Sequence, residues 1–92
     1  MEKNGSSRWA EILKTIGHPV RIGIMEVLLG GDRNVSAIWG ALGLAQSTVS
    51  QHLSVLRTKG IVQGERRGSQ VRYSITDRKV EEIVRLIKDG RS

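Results

Sequence analysis

The chain has 92 residues, a formal net charge of +6 and no cysteine. That length allows one domain over residues 1–92 with a modest core, because a protein this small leaves roughly a third or more of its chain surface unburied. The lack of cysteine excludes disulfides, thiolate metal sites and cysteine nucleophiles. No apolar run approaches the ~20 residues of a membrane span, and the polar start Met1 to Arg8 lacks the apolar core of a signal peptide, so a cytoplasmic protein without membrane contact is expected. The basic balance favours a polyanionic partner.

After a polar, frayed start at Met1 to Ser6, the residues Trp9, Ile12, Leu13 and Ile16 fall at i, i+3, i+4 and i+7 and predict an amphipathic first helix. Gly17 marks its end, and Pro19 stands where a new helix takes a proline at its first position. His18, between them, is expected to cap or pack in this loop. The second helix, about Val20 to Leu29, carries Val20, Ile24, Val27 and Leu28 on one stripe, with Ile22, Met25 and Leu29 nearby. Apolar almost all round, it is expected to be the central buried helix. Gly30-Gly31 ends it, Asn34 is placed to cap a short third helix marked by Val35, Ile38 and Leu42, and Gly43 supplies the tight turn. The fourth helix is expected from about Gln46 to Thr58, although Ala45 stands where a Ser or Thr cap belongs. Ile61-Val62-Gln63 and Val71 to Ile75 read as two short strands joined by the Gly-rich, basic turn Gly64 to Gln70. Thr76-Asp77 can cap a last helix, Arg78 to Lys88, with Val80, Ile83, Val84 and Ile87 as its apolar stripe. The order α-α-α-α-β-β-α describes a mainly α protein with a small β-hairpin, a helix-turn-helix followed by a wing.

Within the fourth helix Val49, Leu53 and Leu56 recur at i, i+4 and i+7, so one face can pack inward while Gln46, Ser47, Ser50, Gln51, Ser54 and Arg57 lie outward. A face built only for solubility would carry Lys and Glu. Gln, Ser and Thr are short hydrogen-bonding groups of the kind that read base edges. The charge supports this, since between Gln46 and Tyr73 five basic residues, Arg57, Lys59, Arg66, Arg67 and Arg72, stand against Glu65 alone. Together with Thr48 and His52 of the same helix, and with Ser69, Gln70 and Arg72 beside the basic tip Arg66-Arg67, they make up a candidate surface for double-stranded DNA.

With that order in place, the chain resembles the arsenic-repressor (ArsR/SmtB) family of small dimeric winged-helix repressors over about Ile12 to Lys88. The resemblance is carried by Gly17-His18-Pro19-Val20-Arg21, by Leu42-Gly43-Leu44-x-Gln46-Ser47-Thr48-Val49-Ser50-Gln51-His52-Leu53 with Leu56 and Gly60, and by Arg67-Gly68-x-x-Val71-x-Tyr73. It implies a fourth helix that enters the major groove, a wing on backbone or minor groove, and first and last helices that build a dimer. It further implies metal sites in several members, at positions that are here Asn34, Ser36 and Trp39, and here Asp77, Lys79 and about Gly90, the last ligand falling beyond Ser92. Asn34, Ser36 and Trp39 are not soft metal ligands, and a lone Asp77 is too weak to make a site. Neither a metal nor a cofactor is expected, and binding is not expected to switch with Zn(II) or As(III); a small-molecule effector stays open.

Several residues carry two readings at this point. His52 can donate to a phosphate or base, or hold the turn structurally. Trp39 can fill the core or line a small-molecule pocket, and core filling is favoured. Trp9, Ile12, Leu13 and Ile16 on the first helix and Val80, Ile83, Val84 and Ile87 on the last are expected to form a homodimer interface, because they exceed what one small core needs. An enzyme is hard to build from two separated histidines, no cysteine and no phosphate-cradling loop. The sequence therefore points to a sequence-specific DNA-binding regulator, with a winged-helix module for protein or RNA contacts as the competing reading.

Overall fold

The computed structural model describes residues 5–90. Its elements are α1 (Gly5–Ile16), α2 (Pro19–Leu28), β1 (Arg33–Asn34), α3 (Val35–Leu42), α4 (Gln46–Thr58), β2 (Val62–Arg67), β3 (Gln70–Ile75) and α5 (Arg78–Asp89). Gly5 and Ser6 belong to α1 rather than to a frayed start, and Met1 to Asn4 lie outside the described residues. The helix ends follow local chemistry. Pro19 opens α2 behind His18, whose Nδ1 accepts the Val20 N–H at 3.1 Å. The Asn34 side chain accepts the Ala37 N–H at 2.9 Å, and Asp77 accepts the Lys79 N–H at 2.7 Å, each satisfying an orphan donor of a first turn. Gly43 closes α3 in the left-handed region at φ 67° and redirects the chain into α4.

The sheet is three-stranded and antiparallel in the order β1-β3-β2. Two details depart from the sequence reading. β1 was not expected: it is the pair Arg33 and Asn34, opposite Tyr73 and Arg72, and it exists because β3 supplies the ladder. The hairpin is also longer than expected, with Gly64 to Arg67 and Gln70 inside the strands and the turn reduced to Gly68-Ser69. Charged residues are tolerated there because the outer part of a hairpin is solvated on both faces. Gly68, at φ 65°, takes the positive backbone angle that so tight a loop requires.

α2 runs through the middle, packed on α3, α4, α5 and β3, and contributes Ile24, Met25 and Leu28 to the core. Ile38 from α3, Val49, Leu53 and Leu56 from α4, and Ile61 and Val62 at the root of the hairpin complete its centre. Trp39 packs against this cluster half-buried, so it fills core. Ile12 and Ile16 of α1 and Val80 and Val84 of α5 are also buried within the single chain. That corrects their assignment to a dimer interface, because α1 lies on α4, and α5 on α2 and β3, and these four side chains are spent there. Leu13 and Leu86 remain 52 % and 72 % exposed, with Trp9, Ile83 and Ile87 half-buried.

Gly64 is a point of close approach. A Cβ there would stand 2.9 Å from Val71 Cγ1 and 3.0 Å from Tyr73 Cε1, since Tyr73 lies directly opposite it in the ladder. Gly64→Ala is therefore expected to displace the tyrosine ring and to destabilise the fold by about 1–3 kcal/mol in denaturant titrations. A stability equal to that of the parent would show that the ring yields without resistance.

Candidate nucleic-acid interface

α4 presents the surface that its sequence pattern describes. Val49, Leu53 and Leu56 face the core, while Gln46, Ser47, Ser50, Gln51, Ser54 and Arg57 are exposed and Thr48 is half-buried. Ala45 offers no side-chain cap to the first turn of α4. Its leading N–H groups therefore face outward at the positive end of the helix dipole, an arrangement that suits an anionic oxygen.

Beside this face runs an open groove. One part, a cavity of about 280 Å³, is lined by Val35, Ser50, Leu53, Ser54, Arg57 and Tyr73. The next, of about 310 Å³, continues along Asn34, Ser36, Ser69, Gln70 and Val71 and shares Val35 and Tyr73 with the first. Val35 and Tyr73 thus join the reading helix to the wing. The sequence reading did not place them in the site, although Tyr73 was part of the wing motif.

Strand alternation divides the wing into two faces. Gly64 and Arg66 pair with Tyr73 and Val71, so Arg66 shares the groove-facing side of the hairpin. Glu65 and Arg67 belong to the other face, where Arg67 Nη2 lies 3.2 Å from Glu65 Oε1. The pair is exposed and adds little stability, but it halves the free cationic charge of the tip.

Arg72 and His52 are drawn away from the role expected of them. Arg72 donates from Nε to the Asp32 carboxylate at 3.1 Å and from Nη2 to the Asp32 carbonyl at 2.9 Å, tying β3 to the turn before β1. The Arg72 guanidinium holds the Asp32 carboxyl below its usual range. His52 accepts a hydrogen bond from Arg21 Nε at 3.2 Å and lies against the His18 ring, which makes it a contact between α4 and α2. Gln70 is engaged too, its Oε1 accepting from Asn34 Nδ2 at 3.2 Å and linking the wing to the start of α3. Asn34 and Ser36 are bonded to each other, with Ser36 Oγ donating to Asn34 Oδ1 at 3.0 Å.

A helix pair joined by a glycine turn, a third strand in front of the pair and a hairpin behind it define a winged helix-turn-helix protein. The sequence profile described as "Bacterial regulatory protein, arsR family" matches residues 18–63. The chain belongs to the ArsR family of bacterial regulatory proteins. It is 44 % identical over 79 residues to the transcriptional repressor PagR of Bacillus anthracis, covering 85 % of this chain and 79 % of PagR. It is 37 % identical over 87 residues to the biofilm growth-associated repressor of Xylella fastidiosa, covering 95 % of this chain and 75 % of that protein. The crystal structure of PagR superposes with a TM-score of 0.84 at 42 % identity over 89 % of this chain and 94 % of PagR. The solution structure of Mb0332 from Mycobacterium bovis, described as a homodimeric winged helix-turn-helix DNA-binding domain, superposes with a TM-score of 0.81 at 28 % identity over 92 % and 79 % of the two chains.

Proposed function

We propose that the chain is a sequence-specific transcriptional repressor that binds double-stranded DNA as a homodimer on a pseudo-palindromic operator in the cytoplasm. The observation that carries this is the exposed, almost uncharged row Gln46, Ser47, Ser50, Gln51 and Ser54 on α4, mounted on buried Val49, Leu53 and Leu56 and continued by Arg57 on the same helix. Membership of a family of regulatory proteins and likeness to named repressors support it. In this reading α4 lies in the major groove with its uncapped start toward a phosphate, and Arg66 reaches the backbone from the wing. In this reading Leu13 and Leu86, with the half-buried Trp9, Ile83 and Ile87, supply the self-association surface. Two copies would set their reading helices one helical turn of DNA apart, about 34–36 Å. Gel-shift titration with DNA from upstream of the chain's own gene, against random DNA and RNA at fixed salt, tests the function. Equal affinity for all three would replace it by a module without sequence preference.

Helix and wing are expected to divide the work. Gln51→Ala should change the ranking of operator variants by ~1–3 kcal/mol at the base it contacts. Arg66→Ala should weaken all sequences alike and lower the slope of affinity against salt by about one phosphate contact. Arg67→Ala should do less, since Glu65 already holds that guanidinium. Fluorescence anisotropy over a panel of duplexes at several salt concentrations reads both effects, and a base preference that followed the wing variants would invert the assignment.

A further inference from the structure

Both histidines of the chain stand in one cluster where three helices meet. The His18 ring, which caps α2, lies 4.4 Å from the His52 ring at an interplanar angle of 42°. Arg21, in the first turn of α2, donates from Nη1 to the Thr15 carbonyl at the end of α1 at 2.9 Å and from Nε to His52 Nδ1 at 3.2 Å. One guanidinium thereby joins α1, α2 and the middle of α4, immediately behind Gln51.

We propose that this cluster positions the DNA-reading helix and holds only while the His52 imidazole is neutral, so that acidification weakens DNA binding. The proposal rests on the reading role given to α4 above. Its chemistry is a matter of lone pairs. Neutral His52 offers Nδ1 as an acceptor, whereas the imidazolium carries a proton on both nitrogens and has nothing to offer a guanidinium that never loses its own charge. The groups acting on His52 are His18, from the turn before α2, and Arg21, from α2 itself. From α1 the cluster receives the Thr15 carbonyl, and the α1 carboxylate Glu11 is tied to Lys59 at 2.9 Å. Protonation would thus set two cations face to face, with no carboxylate among the groups of the described residues that act on His52.

Burial first, then His18 and Arg21, hold His52 below the ordinary histidine range. A histidine whose folded value is depressed contributes stability that is complete above its unfolded value and is lost as the pH falls below it. DNA that binds the clasped form must compete with that proton. The sign separates this effect from simple charge, because added positive charge would strengthen attachment to phosphates. Histidine is the side chain whose ordinary range falls between about pH 5 and 8, and both histidines of the chain stand in this cluster.

The experiment is fluorescence anisotropy of the full chain on an operator duplex at pH 7.5 and 5.5 with ionic strength fixed. If the pKa of His52 is one unit lower in the bound than in the free protein, the dissociation constant should rise severalfold on acidification, toward a limit of about tenfold that is reached below both values. His52→Asn keeps an acceptor near the Nδ1 position and cannot be protonated, so its ratio of dissociation constants should stay near one. His18→Asn keeps a side-chain cap and leaves His52 in place, so its dissociation constant should still rise on acidification. Parent binding that is unchanged or tighter at pH 5.5, or an equal loss in His52→Asn, overturns the proposal. Should His52→Asn fail to fold, NMR of the parent without DNA decides: the Arg21 Nε–H signal should disappear as the His52 ring titrates, and a signal indifferent to that titration overturns the clasp. A protein that prefers no DNA at pH 7.5 while its Arg21 signal follows His52 would instead sink the function proposed for α4, leaving the contact itself demonstrated.

Discussion

Leu13→Glu combined with Leu86→Glu should leave a folded monomer whose operator affinity is at least about a hundredfold lower, because linking two half-site contacts multiplies affinity by roughly 10²–10⁴. Leu13 is about half and Leu86 largely in solvent within the single chain, so a carboxylate at either place removes little intrachain packing. Ile12 and Val84 would make poor test positions, since they are buried and their loss would confuse unfolding with dissociation. An interface needs a desolvated apolar centre, and two charges at that centre would have to be buried unpaired. Sedimentation equilibrium at micromolar concentration, with circular dichroism to confirm the fold, reads the result. A parent that is itself monomeric would remove the dimer, and a variant that still pairs would place the interface elsewhere.

Leu56→Ala is expected to be the harshest single truncation on α4. The side chain is fully buried between the reading helix and the rest of the core, and removing its methyl groups should cost about 2–5 kcal/mol. Against a total stability of about 5–15 kcal/mol, that is enough to lower the melting temperature by ten degrees or more. Calorimetry of the parent and variant measures it. Saturating operator DNA should restore part of the loss, since a ligand of the folded state stabilises it by mass action. A variant as stable as the parent would mean that the site collapses around the missing volume. Gln51→Ala, on the opposite face of the same helix, should leave the melting temperature close to that of the parent.

The helices were legible because each carries its own instructions. Val49, Leu53 and Leu56 mark the inward face of α4, and His18, Asn34 and Asp77 announce three helix starts as caps. What was not legible depends on a partner elsewhere in the chain. β1 has no strand pattern of its own and is made by β3. An apolar stripe says which residues leave water but not whose core receives them, so Ile12, Ile16, Val80 and Val84 were assigned to a second copy when the first copy already buries them. Leu86 falls outside the α5 stripe and was missed, although it is the most exposed large apolar side chain described. Counting arginines in the wing located the charge correctly but could not reveal that Arg72 is engaged by Asp32 and Arg67 by Glu65.

The turn Gly68-Ser69 joins two strands in strict register from Val62 opposite Ile75 to Arg67 opposite Gln70. This constrains how relatives of different length can be built. An insertion of a single residue either converts the two-residue turn into a three-residue loop or appears as a bulge that bends the hairpin. One residue added at the root of each strand extends the tip by about 3.3 Å but also turns it over, sending Arg66 to the outer side and Arg67 toward the groove. Two residues per strand restore the orientation at twice the extension. Reach and facing of the wing are therefore coupled, and evolution can lengthen it without reversing its charge pattern only in increments of four residues.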